Sequence, residues 1–271
     1  MSQAITIFCQ HWICSASFKF CIANLPNLSA DKMQLPKLPV ALSPVPTWSK
    51  LSATDRKQCW NAAIDLVTSM QTLSKRGEQV VDCIIDGQEF IEWDHYPTAD
   101  VRDNKHASQY FYHAHPGLQR PFTEHGHFHL FIHAEELGLR RIDPRYSPAP
   151  AHLLAVSMDA QGLPSGFFIV NRWVTKGAWL TLAQSERGLQ HFQIKGRHGN
   201  KEINTFLRAL IRLYHASIIG LIKQRDGIMQ TLCVGRDRRS VFADKKIEVL
   251  CYHPIQLMDD ITTLEALMQN G

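Results

Sequence analysis

The chain has 271 residues, of which 45% are hydrophobic and 20% are charged. This composition is typical of a globular protein and excludes a disordered, collagen-like or coiled-coil chain. The formal net charge of +4 is too small to indicate nucleic acid or an anionic membrane as a partner. The seven cysteines form no Cys-x-x-Cys pair, which favours reduced thiols and predicts a cytoplasmic protein. Because no apolar run reaches the roughly 18 residues of a membrane span, we also predict no membrane partner.

Residues 1–48 differ in composition from the rest of the chain. They contain prolines at positions 26, 36, 39, 44 and 46 and three of the seven cysteines. Proline at this density disfavours helices and central strands, so an extended or disordered N-terminal segment is predicted over 1–48. The alternative is a packed strand around residues 5–8. Residues 49–271 are predicted to form a single α+β domain.

The first predicted element of this domain is a helix that begins near Thr54. Its apolar residues recur at three- and four-residue spacing, which places them on one helical face. They are Trp60, Ile64, Val67, Met70 and Leu73. Ser52 or Thr54 is expected to cap the start of the helix, and Gly77 is expected to end it.

Short β-like runs follow this helix and predict the sheet. They are residues 80–85, 90–93, 109–115, 125–133, 153–158 and 166–174. Asp86-Gly87 is a hairpin signal between the first two runs. Because no crossover of helix length separates most of the runs, we predict an antiparallel β-sheet or partial barrel. Its packing partners are the N-terminal helix and a long helix near residues 201–225, and a last strand (246–252) and a short helix (261–268) follow.

The candidate site is a cluster of histidines. Eight of the fourteen histidines fall between positions 95 and 133. Five of them stand in two alternating runs, namely His113 and His115, then His125, His127 and His129. Alternate residues of a strand share a face, and neighbouring strands lie about 4.8 Å apart. If the two runs pair, the five imidazoles converge on one patch, while Phe128, Leu130 and Ile132 face the core.

These five histidines are predicted to bind a divalent transition metal, which could be Fe, Zn, Mn or Cu. First-row metals lie about 2.0–2.1 Å from imidazole nitrogen, so the ligand atoms must come close together. His125 and His129 are about 13 Å apart along a regular strand, so they are not expected to bind one ion equally well. One histidine of the second run is then a proton carrier, an outer residue or a ligand to a second ion. Glu92, Asp94 or Glu124 could complete the ligand set.

Glu124 and His127 are the predicted catalytic residues. Glu124 comes one residue before the second histidine run, where an acid or base outside the metal's ligands is expected. Regular strand alternation directs its carboxylate away from the histidine face. In that case Asp94 or His95 would take the role, and His95 could also add a ligand.

The segment from His125 to Phe131 resembles the His-x-His-x-His motif of the histidine-triad nucleotide hydrolases and transferases. The resemblance implies that His127 attacks phosphorus, with His125 and His129 on either side. It covers seven residues, and Gly126 stands where that family has an apolar residue. No Gly-rich phosphate loop accompanies the motif.

Over a longer span, roughly residues 55–268, the chain resembles an uncharacterised bacterial family, a domain of unknown function with a Glu-His-Gly-His-Phe-His motif. The resembling stretches are residues 89–97, 109–116, 124–129 and 171–175. The resemblance implies that the histidines and the Asn-Arg-Trp-Val-Thr stretch belong to one domain. It implies no particular activity.

Arg172 and Trp173 are the predicted substrate-binding residues. They follow the apolar run 167–170, so they are expected at a strand end. Arg172 would bind a carboxylate or phosphate, and Trp173 would form an apolar wall. The alternative is an ordinary strand end with a packed tryptophan. The basic residues between 236 and 246 lack interleaved aromatic residues, so nucleic acid is not predicted as a partner.

Together these features predict a metal-dependent enzyme, a hydrolase or oxygenase, that acts on a small-molecule substrate. Two alternatives stay open. One is a histidine-triad-like nucleotide hydrolase or transferase. The other is a metal-binding protein without enzymatic activity, whose site would be coordinatively closed.

Overall fold

The structure is a computed structural model that describes residues 48–116, 122–139, 149–195 and 197–270. The segment 1–48, predicted to be extended or disordered, lies outside the described residues except for Trp48. This residue begins a short 3-10 turn, Trp48–Lys50, and its indole is buried beside Tyr214 at a ring-centroid distance of 5.8 Å. The domain core therefore includes the last residue of that segment.

In the described residues six strands form one antiparallel sheet, in which each strand pairs with the next along the chain. The strands are β1 (Tyr96–Asp103), β2 (Ser108–His113), β3 (Gly126–Ile132), β4 (Ala151–Met158), β5 (Pro164–Val170) and β6 (Val249–Pro254). The predicted α+β class and antiparallel sheet are confirmed. β1 and β6 are the two edges, so the sheet is open and does not close into a barrel.

Eight α-helices lie in the described parts of the chain. They are α1 (Ala53–Ser74), α2 (Val80–Ile85), α3 (Arg172–Thr175), α4 (Leu182–His191), α5 (Lys201–Leu213), α6 (His215–Leu232), α7 (Arg238–Phe242) and α8 (Leu257–Gln269). α1 begins as predicted, because the Ser52 hydroxyl accepts a hydrogen bond from the Asp55 amide. It buries Leu66 and Leu73 completely. Gly77, which was predicted to end this helix, follows it with φ +73°, a left-handed conformation that glycine adopts without strain.

The predicted long helix near 201–225 is two helices. α5 and α6 are bent by 72° at Tyr214. The Tyr214 hydroxyl donates a hydrogen bond to the Asp260 carboxylate of α8, which fixes this bend in the core. Among the described residues no single helix is long and apolar enough to cross a membrane, although α5 and α6 together meet that test as a bent pair.

Three of the predicted strand assignments need correction. Residues 80–85 are helix α2, because the Asp82 carboxylate accepts the Gln79 amide and starts a helix, and Asp86 ends it in a left-handed conformation. Residues 90–93 form no strand. The run 166–174 is strand only to Val170, and α3 follows. Short apolar runs fit helix and strand equally well, which explains the first error.

The two faces of the sheet have different roles. One face packs against the helices and contributes Phe128, Leu130 and Ile132 to the main core, as predicted. The other face carries the histidines of β2 and β3. Beside them a smaller apolar cluster forms around Ala155 and Phe168. The histidines of β3 are buried, with His127 0% and His129 1% exposed, whereas His113 and His115 are half-buried.

Candidate metal centre

The pairing of β2 with β3 brings the two histidine runs together. His113 lies directly opposite His127 in the antiparallel register, and Phe111 lies opposite His129. Residues directly opposite each other project from the same face of a sheet. The prediction that the runs pair as adjacent strands is confirmed.

Gly126 makes this close approach possible. A Cβ atom at position 126 would lie 2.5 Å from the Tyr112 hydroxyl and 2.6 Å from the His113 carbonyl oxygen. Real Cβ atoms do not come so near to other heavy atoms. The glycine of the Glu-His-Gly-His-Phe-His motif therefore lets the start of β3 lie against the end of β2, where His113 and His127 meet.

Three histidines form a group that could hold a metal ion. His113, His115 and His127 each offer a ring nitrogen, and these atoms all lie within 4.8 Å of one another. The Nε2 atoms of His113 and His127 are 2.8 Å apart. The Nε2 atom of His129 is 3.1 Å from that of His127. Four of the five predicted metal ligands thus lie in one cluster, with His129 adjoining the group of three.

Glu124 is hydrogen-bonded to the opposite side of the His127 ring. Its Oε1 atom accepts from Nδ1 of His127 at 2.8 Å, and its side chain is only 5% exposed. Strand alternation predicts the opposite direction for Glu124, but β3 begins at Gly126, so the alternation does not extend to residue 124. A proton on Nδ1 leaves Nε2 unprotonated, which is the form of histidine that binds metals through Nε2.

His125 does not join the cluster, although it is a predicted ligand. Its Nδ1 atom lies 2.7 Å from the Tyr112 hydroxyl, and its ring lies 5.1 Å from that of Phe90. Tyr112 belongs to the main core on the helix side of the sheet. Burial lowers the pKa of His125. The prediction that His125 shares a face with His127 is wrong for the same reason as the prediction for Glu124. Glu124 and His125 both precede β3, so strand alternation does not apply to them.

His152 extends the cluster and was not among the predicted site residues. Its Nε2 atom lies 2.9 Å from Nδ1 of His129. Burial, with a contribution from the positive charge of Arg225, lowers the pKa of His152 to about 3. His152 is therefore a neutral partner of His129 at pH 7. The predicted strand starts at residue 153, whereas β4 starts at Ala151. His152 therefore fell outside the predicted strand and was not considered as a site residue.

The segment before β1 forms one wall of the cluster. Trp93 lies edge-on to His115 with ring centroids 4.0 Å apart, and His95 stacks on Phe111 at 3.7 Å. His95 also lies 5.7 Å from the His113 ring. The Trp93 backbone has φ +74°, a left-handed conformation that is rare for a bulky residue, and its amide donates to the carbonyl of Ala114.

Arg172 and Trp173 lie at a different place. They line a cleft of about 500 Å³ together with residues of α7 and the stretch that follows it, and no described histidine lines this cleft. The Trp173 indole donates to the Ile247 carbonyl oxygen at 2.8 Å. The side chain of Asn171 caps α3 by accepting from the Arg172 amide. These contacts fit the alternative of a strand end with a packed tryptophan.

The chain matches the family model described as Domain of unknown function (DUF6969) over residues 60–255. It belongs to this family. The matched span includes the six strands, Glu124 and the histidine cluster, so the site lies within the family's domain. The searches of curated proteins and of solved structures gave no match.

Proposed function

We propose that this domain is a metal-dependent enzyme that acts on a small molecule, with His113, His115 and His127 as ligands to a divalent transition metal. The observation that carries the proposal is the approach of their three ring nitrogens to within 4.8 Å of one another. Three protein ligands leave a position for water or substrate, which is the pattern of catalytic rather than structural zinc sites. Imidazole accepts Fe, Zn, Mn and Cu, so the donor set does not select among them.

The residues around these ligands support the same assignment. The Glu124 carboxylate holds Nδ1 of His127 at 2.8 Å, as outer carboxylates do for metal-binding histidines. Glu124 is therefore a positioning residue rather than the acid or base that its sequence position indicates. A divalent metal in such a site supplies Lewis acidity and lowers the pKa of bound water.

His129 is our candidate for the proton carrier. Its Nε2 atom faces His127 at 3.1 Å, and its Nδ1 atom is fixed by His152 at 2.9 Å. Because His152 is neutral at pH 7, its Nε2–H can donate to Nδ1 of His129. Nε2 of His129 is then the atom that holds or releases a proton. The ring is held in place, as a proton carrier needs to be.

Trp93 beside the cluster indicates a substrate with an apolar part. Its side chain is 52% exposed and lies edge-on to the ring of His115. An exposed large apolar side chain beside a polar site is typical of a ligand-binding wall. We propose that Trp93 contacts the substrate while the reactive group of the substrate approaches the histidines.

The test is metal analysis of protein purified without a tag, aerobically and anaerobically. We expect about one transition metal per chain in the wild type, and its loss in the double variant His113→Ala/His127→Ala. His191→Ala/His198→Ala is the matched control, because both residues are exposed and outside the cluster. A wild-type protein that takes up no metal under either condition would refute the proposal.

One observation favours a second candidate, a metal-binding protein without enzymatic activity. The Nε2 atom of His129 is close enough to His127 to be a fourth ligand, which would close the site. His129→Ala separates the two functions. Metal affinity stays within about threefold of the wild type if His129 is a proton carrier, and it falls by about tenfold or more if His129 is a ligand.

A further inference from the structure

A separate candidate site is the cleft that contains Arg172 and Trp173. Its volume is about 500 Å³, which is within the range of small-molecule sites. It is lined by residues of α3 and α7 and of the stretches that follow them, and no described histidine is among them. Half of its eight lining residues are cationic, namely Arg172, Lys176, Arg239 and Lys245. We call this feature the basic cleft.

The positive charge of the basic cleft is not balanced by its lining, because no described acidic residue lines it. The acidic residues of the segments 171–176 and 237–248 are Asp237, Asp244 and Glu248. Asp244 pairs with Arg236 at 2.8 Å, which leaves two carboxylates to set against four lining cations. Three of these cations form no ion pair with a described residue, and they are Lys176, Arg239 and Lys245. A cleft lined by one sign of charge attracts ligands of the opposite sign.

Hydrogen bonds within the chain hold the two sides of the basic cleft together. The side-chain amide of Asn171, the residue before α3, donates to the Val241 carbonyl oxygen of α7 at 2.9 Å. The backbone amide of Asn171 donates to the Glu248 carbonyl oxygen at 2.7 Å. The Trp173 indole donates to the Ile247 carbonyl oxygen at 2.8 Å. These bonds fix the cleft before a ligand arrives, which lowers the entropic cost of binding.

Two aromatic side chains lie among the cations. The Phe242 ring packs against Trp179 with ring centroids 4.9 Å apart, and the Arg172 guanidinium lies over the Phe242 ring at 5.9 Å from its centroid. The indole N–H of Trp173 is used by Ile247, so the half-buried ring is the part of this side chain that can contact a ligand. Cations beside aromatic rings fit a ligand that has both an anionic and an apolar group.

We propose that the basic cleft binds an organic phosphate. A phosphate monoester carries a charge of about −1.5 to −2 at pH 7 and has three free oxygens, so it matches several cations better than a carboxylate does. Its oxygens accept hydrogen bonds from Arg172 and Arg239, and the two lysines add attraction. The organic group lies against Trp173 and Phe242. This site is separate from the proposed metal centre and does not require its activity.

The test is titration calorimetry on the full chain with 1-naphthyl phosphate as the probe. We expect 1-naphthyl phosphate to bind, with 1-naphthol and inorganic phosphate at least tenfold weaker, because the first lacks the charge and the second lacks the apolar group. Lys176→Met/Lys245→Met should raise the dissociation constant about tenfold, since it removes two of the four lining charges. Trp173→Leu should remove most of the preference for 1-naphthyl phosphate over inorganic phosphate.

Lys223→Met/Lys246→Met is the matched control, because it removes two exposed lysines that do not line the cleft. His113→Ala/His127→Ala should bind 1-naphthyl phosphate like the wild type, which separates this site from the metal centre. A thermal melt of each variant shows whether it is folded. If Trp173→Leu fails to fold, the comparison with inorganic phosphate still tests the apolar wall.

Four results would overturn the proposal. The wild type binds no 1-naphthyl phosphate in the millimolar range, or 1-naphthol or inorganic phosphate binds as tightly as the ester. The two lysine double variants have the same affinity, which would indicate attraction to the basic surface as a whole. The folded histidine variant loses the binding, which would place the ligand at the metal centre.

Discussion

Glu124 is the residue whose role differs most between the sequence and the structure, and its replacement gives the sharpest test of the metal centre. In Glu124→Gln the amide oxygen still accepts the proton of His127 Nδ1, but the negative charge is lost. In Glu124→Ala the partner is lost as well. The wild-type hydrogen bond is 2.8 Å long and its carboxylate is 5% exposed, so it is a buried, charge-assisted bond.

A hydrogen bond of this kind contributes about 1.5–3 kcal/mol. Removal of an outer partner of a metal ligand typically costs about 10–100-fold in metal affinity. We therefore expect Zn²⁺ affinity, measured by competition with a chromogenic chelator, to fall about tenfold in Glu124→Gln and toward a hundredfold in Glu124→Ala. Glu92→Gln is the control, because it makes the same charge change at an exposed position of the neighbouring wall. If both Glu124 variants bind Zn²⁺ like Glu92→Gln, the carboxylate does not support a metal ligand and our reasoning is wrong.

Three further predictions concern stability. Gly126→Ala should cost about 1–3 kcal/mol, because its Cβ meets the fixed His113 carbonyl at 2.6 Å, and a urea melt that matches the wild type would contradict this. Leu130→Ala should cost about 2–5 kcal/mol in the same melt, since Leu130 is 0% exposed, and a loss under 1 kcal/mol would show a loosely packed core. The His152 pKa falls to about 3 in the fold, so the unfolded chain takes up the proton first, and stability is lost as the pH falls from about 6.5 toward 3. Protonation linked to His152 alone should lower the free energy of unfolding by about 2 kcal/mol at pH 5 relative to pH 7. Urea melts at the two pH values measure this loss, and His152→Leu should not show it.

The elements that sequence patterns predict best are those whose periodicity matches their burial. α1 has helical spacing and a hydroxyl cap, and β2 to β5 have β-rich runs that follow one another without crossovers. β1 was not predicted, because it is an edge strand with a weak sequence pattern. Tyr96–Asp103 contains charged and exposed residues and a proline, none of which indicates a strand. α4, Leu182–His191, is mostly polar and gives an equally weak signal.

The candidate site shows the same division. Alternation on two runs was enough to predict that His113, His127 and His129 meet, because these residues lie in β2 and β3. His115 follows the end of β2, so strand geometry alone does not explain its place in the cluster. The positions of Glu124 and His125 depend on the residue at which β3 begins, and no pattern marks that residue in advance. The contact of Gly126 with Tyr112 and His113, which excludes a side chain at this position, is likewise known only from the three-dimensional structure.

The burial of the two β3 histidines also favours a site that is prepared for metal. His127 is 0% exposed and His129 1%, and a protonated imidazole in such surroundings is costly unless it is paired. Glu124 accepts the proton of His127 Nδ1, so Nε2 of His127 can accept an N–H from a neighbouring ring, and the cluster stays neutral. The lone pair that accepts this N–H is the one that a metal needs. Under the proposed function, a neighbouring neutral ring would bind the metal through Nε2 once its proton has moved to Nδ1, so the cluster loses no net proton and the strands need no rearrangement. The fold then places the ligands in advance, and the free energy of binding is not spent on ordering them.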